Sequence, residues 1–305
     1  MYKYVIREYC IHTSAIPRGE SVRAVLLADV HGKADRDGCR KLLEDIRQLK
    51  PDLILISGDM ILRIAPDTFE KMQGFLAGLA GEYPVFYGMG NHETVLNDEA
   101  RKYEKVIEKK GRLLRISESA GKMAARLKRR LKPCDIEEQK ERFRKYESFL
   151  DRHGIILLHN ARSRITIRGM RLDIAGLELP MSCYGKPVSP AVSAREIRSL
   201  LGEADRNAFQ ILISHDPKYS RACFDWGADL TVSGHYHGGV WRITEHMILV
   251  SPHFHPFPRY GCGVFHQGNS HLVVSAGLGE HTFPLRIHNP RELILIRCVG
   301  KEGRE

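Results

Sequence analysis

No pair of cysteines in this chain is spaced as C-x-x-C, and the seven present (Cys10, Cys39, Cys134, Cys183, Cys223, Cys262 and Cys298) are scattered and odd in number. Neither a disulfide framework nor a thiolate metal site is expected, and the thiols read as reduced and mostly structural. Long apolar runs are missing too. Stretches such as 53–56 and 155–158 fall far short of the roughly 18 consecutive apolar residues that a spanning helix needs. Lys3, Arg7 and Glu8 stand where a signal peptide would carry its apolar core. A cytoplasmic chain without an N-terminal membrane anchor is therefore expected. There is no internal repeat and no low-complexity segment.

Most of the chain also lacks net charge. Of the overall +10, all lies between residues 101 and 132, where 13 Lys and Arg face three Glu, leaving 34 of each sign elsewhere. Within that stretch Met123, Leu127 and Leu131 recur at helical spacing until Pro133. A single domain over residues 1–305, carrying 102–134 as a basic helical insertion, is the expected organisation. The length and the 43% hydrophobic content suit a sizeable core.

Short apolar runs alternate with helical patterns. Residues 3–12 and 22–28 read as strands, 36–50 as a helix stopped by Pro51, 53–56 as a strand, 66–80 as a helix and 85–87 as a strand. That order is the pattern of parallel βαβ units. After the insertion, Asp135 and Glu138 resemble a capping box opening a helix to about Arg152. Strands follow at 155–158, 163–168, 170–175, 210–213 and 230–232, then a Pro-, Gly- and His-rich loop over 251–263, and strands near 272–275 and 292–297.

Five of these runs end in polar clusters: Asp29 and His31, Asp59, Asn91 and His92, His215, and His235 and His237. In open α/β sheets functional residues collect where strands end. Singly, a Gly-Asp is a turn and a loop histidine is solvated. Together the oxygen ligands and imidazoles, without thiolate, suit Mn, Fe, Zn, Co or Ni better than Ca or a structural zinc. Leaving His92 aside, the seven ligands are too many for one tetrahedral ion and suit two ions sharing a carboxylate.

The blocks Asp29-Val30-His31, Gly58-Asp59, Gly90-Asn91-His92-Glu93, His215 and Gly234-His235-Tyr236-His237 resemble the ordered signature of the calcineurin-like metallophosphoesterases. The stretches Gly234 to Gly239, Val274 to Gly279, and Pro284-Leu285-Arg286 before Pro290-Arg291-Glu292 are similar to those of a bacterial branch of membrane-associated phosphoesterases. The resemblance covers about residues 22–100 and 150–298. It implies an α/β fold, a four-layer α/β/β/α sandwich of two mixed sheets with a dinuclear metal site at strand ends. Asp29, His31 and His237 would hold one divalent ion, Asn91, His215 and His235 the other, and Asp59 would bridge. Manganese is the favoured metal, and His92 would act on the leaving oxygen as general acid.

Where many relatives carry an Asp that orients the catalytic His, this chain has Leu62. Arg63 and Arg286 are candidate phosphate contacts. The implied activity is hydrolysis of a phosphodiester, phosphomonoester or pyrophosphate bond in a phosphorylated small molecule or lipid, with a lipid-linked or nucleotide-sugar substrate in view. The rivals are a metal-dependent amide hydrolase, such as a cell-wall sugar deacetylase, and a non-catalytic metal-binding scaffold. Residues 102–132 are basic around a narrow apolar stripe, which suits a peripheral contact with an anionic membrane. They lack the interleaved aromatics of a nucleic-acid surface.

Overall fold

Strands that are apolar at both parities need cover on both faces, and the chain supplies it with two sheets back to back and helices outside each. The computed structural model describes residues 3–33, 39–63, 65, 67–97, 103, 107, 136–185, 188–280 and 285–301. Most of the basic insertion, and with it the expected membrane contact at 102–132 and the Asp135 cap, lies outside the described residues.

The strands are β1 (Tyr4–Thr13), β2 (Ser21–Leu27), β3 (Leu53–Ile56), β4 (Val85–Gly88), β5 (Ile156–Leu158), β6 (Ala161–Ile167), β7 (Met170–Leu177), β8 (Phe209–Ser214), β9 (Leu230–Ser233), β10 (Gly263–Gln267), β11 (Ser270–Val274) and β12 (Arg291–Gly300). The helices are α1 (Arg40–Leu49), α2 (Asp67–Ala80), α3 (Asn91–Thr94), α4 (Ile136–Arg152), α5 (Ala194–Leu201) and α6 (Ser220–Trp226). One sheet runs β1-β12-β2-β3-β4-β5 and the other β10-β11-β9-β8-β7-β6. Both are mixed: β2, β3, β4 and β5 are parallel in the first, as are β7, β8, β9 and β11 in the second.

Strand alternation sorts the side chains into layers. Leu26, Leu55 and Phe86 form one row across the first sheet and pack inward against Ile174, Ile211, Ile213 and Val232 of the second. The opposite parity, with Leu27, Ile56 and Tyr87, packs outward on α1, α2 and α4. Ala175, Leu177 and Leu212 meet α5 and α6 on the far side. The result is the α/β/β/α sandwich. At the end of β4 the two sheets come so close that a Cβ on Gly88 would lie 2.4 Å from the Ile213 side chain.

The sequence patterns place most strands to within a residue or two. They do not anticipate β10, α5 or α6, although Ser193 and Glu196 form a capping box at the start of α5. The expected helix over 36–50 is described only from Arg40, with Cys39 in left-handed conformation at its start.

A half-buried charge cluster fastens α4 to the strand ends beside it. His159 Nε2 is 3.0 Å from Glu147 of α4, and Nδ1 is 3.2 Å from Glu178, which follows β7. The Asn97 amide donates to the same Glu178 carboxylate. Burial lowers the His159 pKa, but the two carboxylates outweigh it and lift the group to about 9. A histidine raised in the folded state stabilises fully below its unfolded pKa near 6.5 and loses that contribution as pH rises through about 9. Between pH 6.5 and 9.5 the unfolding free energy of the native chain should therefore fall by about 1–3 kcal/mol more than that of His159→Gln, measured by urea denaturation. Parallel pH profiles would show that His159 is not held charged.

Candidate metal centre

Because β2, β3, β4, β8 and β9 run parallel within their sheets, their carboxyl ends gather at one edge of the sandwich. The turns that follow are paired beyond the strands: Asp29 N donates to Gly58 O, His31 N to Asp59 O and Gly234 N to His215 O, each at 3.0 Å. Two further bonds cross from sheet to sheet. His235 N donates to both oxygens of Asp29, at 3.1 and 3.0 Å. The His215 ring donates from Nδ1 to Ser57 O at 2.5 Å.

The side chains thus brought together include two groups of potential ligand atoms, each within 4.8 Å of one another, Asp29, His31 and His237, and Asp59, His215 and His235, while Asp216 and His253 form a further such group with His235. His31 and His237 stack with 9° between their planes and their Nε2 atoms 3.0 Å apart. Asp59 Oδ2 is 3.3 Å from His215 Nε2, and Asp29 Oδ1 is 3.5 Å from His237 Nε2. Asn91 and His92 open α3, and His92 lies within 4.8 Å of Asp59 and His31 in the same sense. Five of these residues adopt the left-handed backbone: Asp29 (φ 51°), His31 (55°), Asp59 (54°), His235 (65°) and His237 (50°). Each such position costs about 1–3 kcal/mol in a non-glycine residue, and such strain clusters at functional sites.

The donor set fits divalent cations. Asn91 Oδ1 and His235 Nε2 are buried without a hydrogen-bond partner, which a protein tolerates where something else completes the site. The local charge is equally telling. Burial pushes the Asp29 carboxyl up to about 7 and the His235 imidazole down to about 3. Burial works to raise Asp59 as well, yet His215, His92 and His31 hold it well below the usual carboxylate range. Burial likewise works to lower His215, but Asp59 and Asp29 prevail and lift it to about 10. At a site of this charge, ions would bind in exchange for protons.

Glu93 turns out to be central. It is fully buried, and its Oε1 accepts from Met60 N (2.8 Å) and the Tyr87 hydroxyl (2.7 Å). Its Oε2 accepts from Asp59 N (2.9 Å) and Gly90 N (3.1 Å). Asp59 in turn accepts from His92 N at 2.8 Å. Gly90 must be glycine, since a Cβ there would lie 2.2 Å from Asp59 Oδ1. The clamp is hidden in sequence because Asp59 and Met60 sit 34 and 33 residues upstream of Glu93, while Gly90 and Tyr87, three and six residues away, carry no signal of the role.

Arg63 reaches the site through its main chain, its amide donating to His92 Nδ1 at 3.3 Å. That contact orients His92 where Leu62 supplies no carboxylate. The Arg286 guanidinium donates to the carbonyls of His237, Ala276 and Gly279 at 3.2, 2.9 and 2.7 Å. Asn289, which no sequence signal singled out, donates to His237 O (2.7 Å) and Gly239 O (2.6 Å). His253, from the loop after β9, pairs with buried Asp216 at 2.7 Å behind His235.

Residues 22–239 match the model of the calcineurin-like phosphoesterases. The chain belongs to this family. It is a metal-dependent hydrolase of the phosphoesterase class. Over 287 residues it is 23% identical to the metallophosphoesterase YkuE of Bacillus subtilis, covering 92% of this chain and 80% of that one. A Caenorhabditis elegans metallophosphoesterase is 23% identical over 309 residues, covering 94% of this chain, which spans only 53% of that relative. The UDP-2,3-diacylglucosamine pyrophosphatase LpxG of Chlamydia muridarum is 25% identical over 295 residues, covering 91% of this chain and 84% of that one.

Glu93→Gln keeps the shape of the clamp but turns an amide NH₂ toward donors. It should lower stability by about 1–3 kcal/mol and weaken Mn²⁺ affinity, read by urea denaturation and by calorimetric titration of the apoprotein. Unchanged values for both would remove Glu93 from the support of Asp59.

Proposed function

We propose that the chain hydrolyses a phosphodiester or pyrophosphate bond in a lipid-linked substrate of the nucleotide-sugar type, using two divalent ions. The observation that carries this reading is the separation of the ligand atoms into two adjacent groups with Asp59 between imidazoles of both. Asp29, His31 and His237 would hold one ion and Asn91, His215 and His235 the other, with Asp59 shared. Such a pair, when bound, lowers the pKa of a water and neutralises charge building on a phosphoryl group. The mixed nitrogen and oxygen donors favour manganese or a similar transition ion.

The substrate reading is supported by LpxG, whose name specifies a diacylated nucleotide sugar and a pyrophosphate bond. Neither the family nor the site favours amide hydrolysis or a scaffold without catalysis. A cytoplasmic protein working at the membrane surface fits a lipid-linked substrate, and the basic balance of residues 101–132 suits anionic headgroups.

The chain's own contribution to the reaction centres on His92. With Nδ1 accepting from the Arg63 amide, the ring carries its proton on Nε2. Burial lowers its pKa, although Asp59 works to raise it. A neutral ring holding a proton at Nε2 can donate to a leaving oxygen without adding a full positive charge to a site built for metal cations. The Asp59 carboxylate, accepting from His92 N, ties that ring to the ligand loops.

Asp59→Asn should abolish Mn²⁺-dependent hydrolysis of bis(p-nitrophenyl) phosphate, and His92→Ala should lower kcat about 10²–10⁴-fold while metal content is retained. Full activity in both variants would sink the mechanism. Chelation followed by dialysis should leave an inactive chain that Mn²⁺ restores and Ca²⁺ does not; recovery with Ca²⁺ would point to an all-oxygen site instead.

A further inference from the structure

The segment after the last metal ligand, which runs into the loop expected over 251–263, has a paired backbone. Arg242 and Ile248 form an antiparallel bridge, as do Val250 and Pro256, and Trp241 lies in parallel register with Ile287. Leu249 N donates to Trp241 O and Phe257 N to Leu249 O, both at 2.9 Å. Four short ribbons therefore lie side by side. Directly paired residues share a face, and residues two apart on one ribbon share it as well. One face accordingly carries the row Ile287, Trp241, Leu249 and Phe257, flanked by Ile243, Met247 and Leu285.

Arg242 and Ile248, of the opposite parity, are buried while Leu249 and Ile287 are half-buried, so the row turns outward at Trp241 and Phe257, and Val250 beyond Ile248 is exposed beside it. Trp241 is 45% exposed, Phe257 57% and Leu285 47%, with Ile243 and Met247 similar. Clustered exposure of this kind marks an interaction surface, and Trp and Phe beside aliphatics are the side chains favoured at a lipid interface. The segments around the row are poor in negative charge and expose the cation Arg259, which suits anionic headgroups. Over residues 240–259 and 285–291 the only carboxylate is Glu245, and it lies 3.7 Å from Arg7. Arg259, His246, His255 and His288 are exposed on the same segments.

The face is joined to the metal centre by covalent and hydrogen-bonded links. Gly238 and Gly239 lead straight from His237 into the Trp241 ribbon. Arg286 and Asn289, on the ribbon through Ile287, hold the His237 carbonyl. From these observations we infer that the Trp241–Phe257 face seats the protein on an anionic lipid bilayer and so presents the metal centre to substrate embedded there. The inference rests on the lipid-linked substrate reading and adds a surface to it, separate from residues 102–132.

The chain has two tryptophans, and Trp226 is buried, so quenching from within a bilayer reports Trp241. Full-length protein should sediment with vesicles of phosphatidylcholine and phosphatidylglycerol, its emission shifting to the blue and being quenched by brominated acyl chains. Trp241→Phe should bind but lose the quenching. Trp241→Glu with Phe257→Glu, which leaves residues 102–132 intact, should cut vesicle affinity at least tenfold while hydrolysis of bis(p-nitrophenyl) phosphate stays within twofold of native. No vesicle binding, no quenching, or native-like binding by the double variant would overturn the inference. So would a dimer in sedimentation velocity that the double variant dissolves while vesicles leave the native chain in solution. Hydrolysis of the soluble diester is scored separately, so vesicle binding without hydrolysis would fail the functional reading alone.

Discussion

Three carboxylates at Asp29, Asp59 and Glu93 are shut away from bulk water, and the protein itself has to solvate them. It does so mainly with backbone amides. Asp29 takes His235 N, Asp59 takes His92 N, and Glu93 takes Asp59 N, Met60 N and Gly90 N. Each carboxylate therefore fixes the path of a loop that carries another ligand. Because charged hydrogen bonds are roughly twice as strong as neutral ones, these bonds help offset the left-handed backbone at Asp29, His31, Asp59, His235 and His237. The sandwich is what makes the arrangement reachable, since only parallel strands deliver all five turns to one edge.

The same constraint explains what was legible in sequence. Ligand residues follow directly on apolar runs, so Asp59, His215 and His235 announce themselves by position, and the βαβ order suggests that their strands end together. Elements with weaker local signals were missed: α6 follows a polar cluster, and the ribbons after Gly239 pair only through isolated bridges. Supporting residues were missed for a different reason. Glu93 finds its partners around Asp59, and Asn289 finds His237 some 50 residues away, so their roles exist only once the sheets have packed. Leu62 looked like a gap because side chains can be read from sequence, whereas the Arg63 amide that fills the role is a main-chain group that every residue but proline possesses.

Two histidines show how far such main-chain partners reach into chemistry. His215 donates its Nδ1 proton to Ser57 O; in the neutral ring this leaves a lone pair on Nε2, the state a metal ligand needs. His92 accepts at Nδ1 from Arg63 N, which leaves a proton on Nε2. One ring is prepared to give electrons and the other to give a proton, although both sit within reach of Asp59. The distinction comes from whether the strand-end turn offers a carbonyl or an amide. A carbonyl at the Arg63 amide position would prepare His92 as a third imidazole ligand beside His31 and leave no proton for the leaving oxygen. The turn from Gly58 to Arg63 therefore sets the chemistry of the site as much as the ligands themselves do.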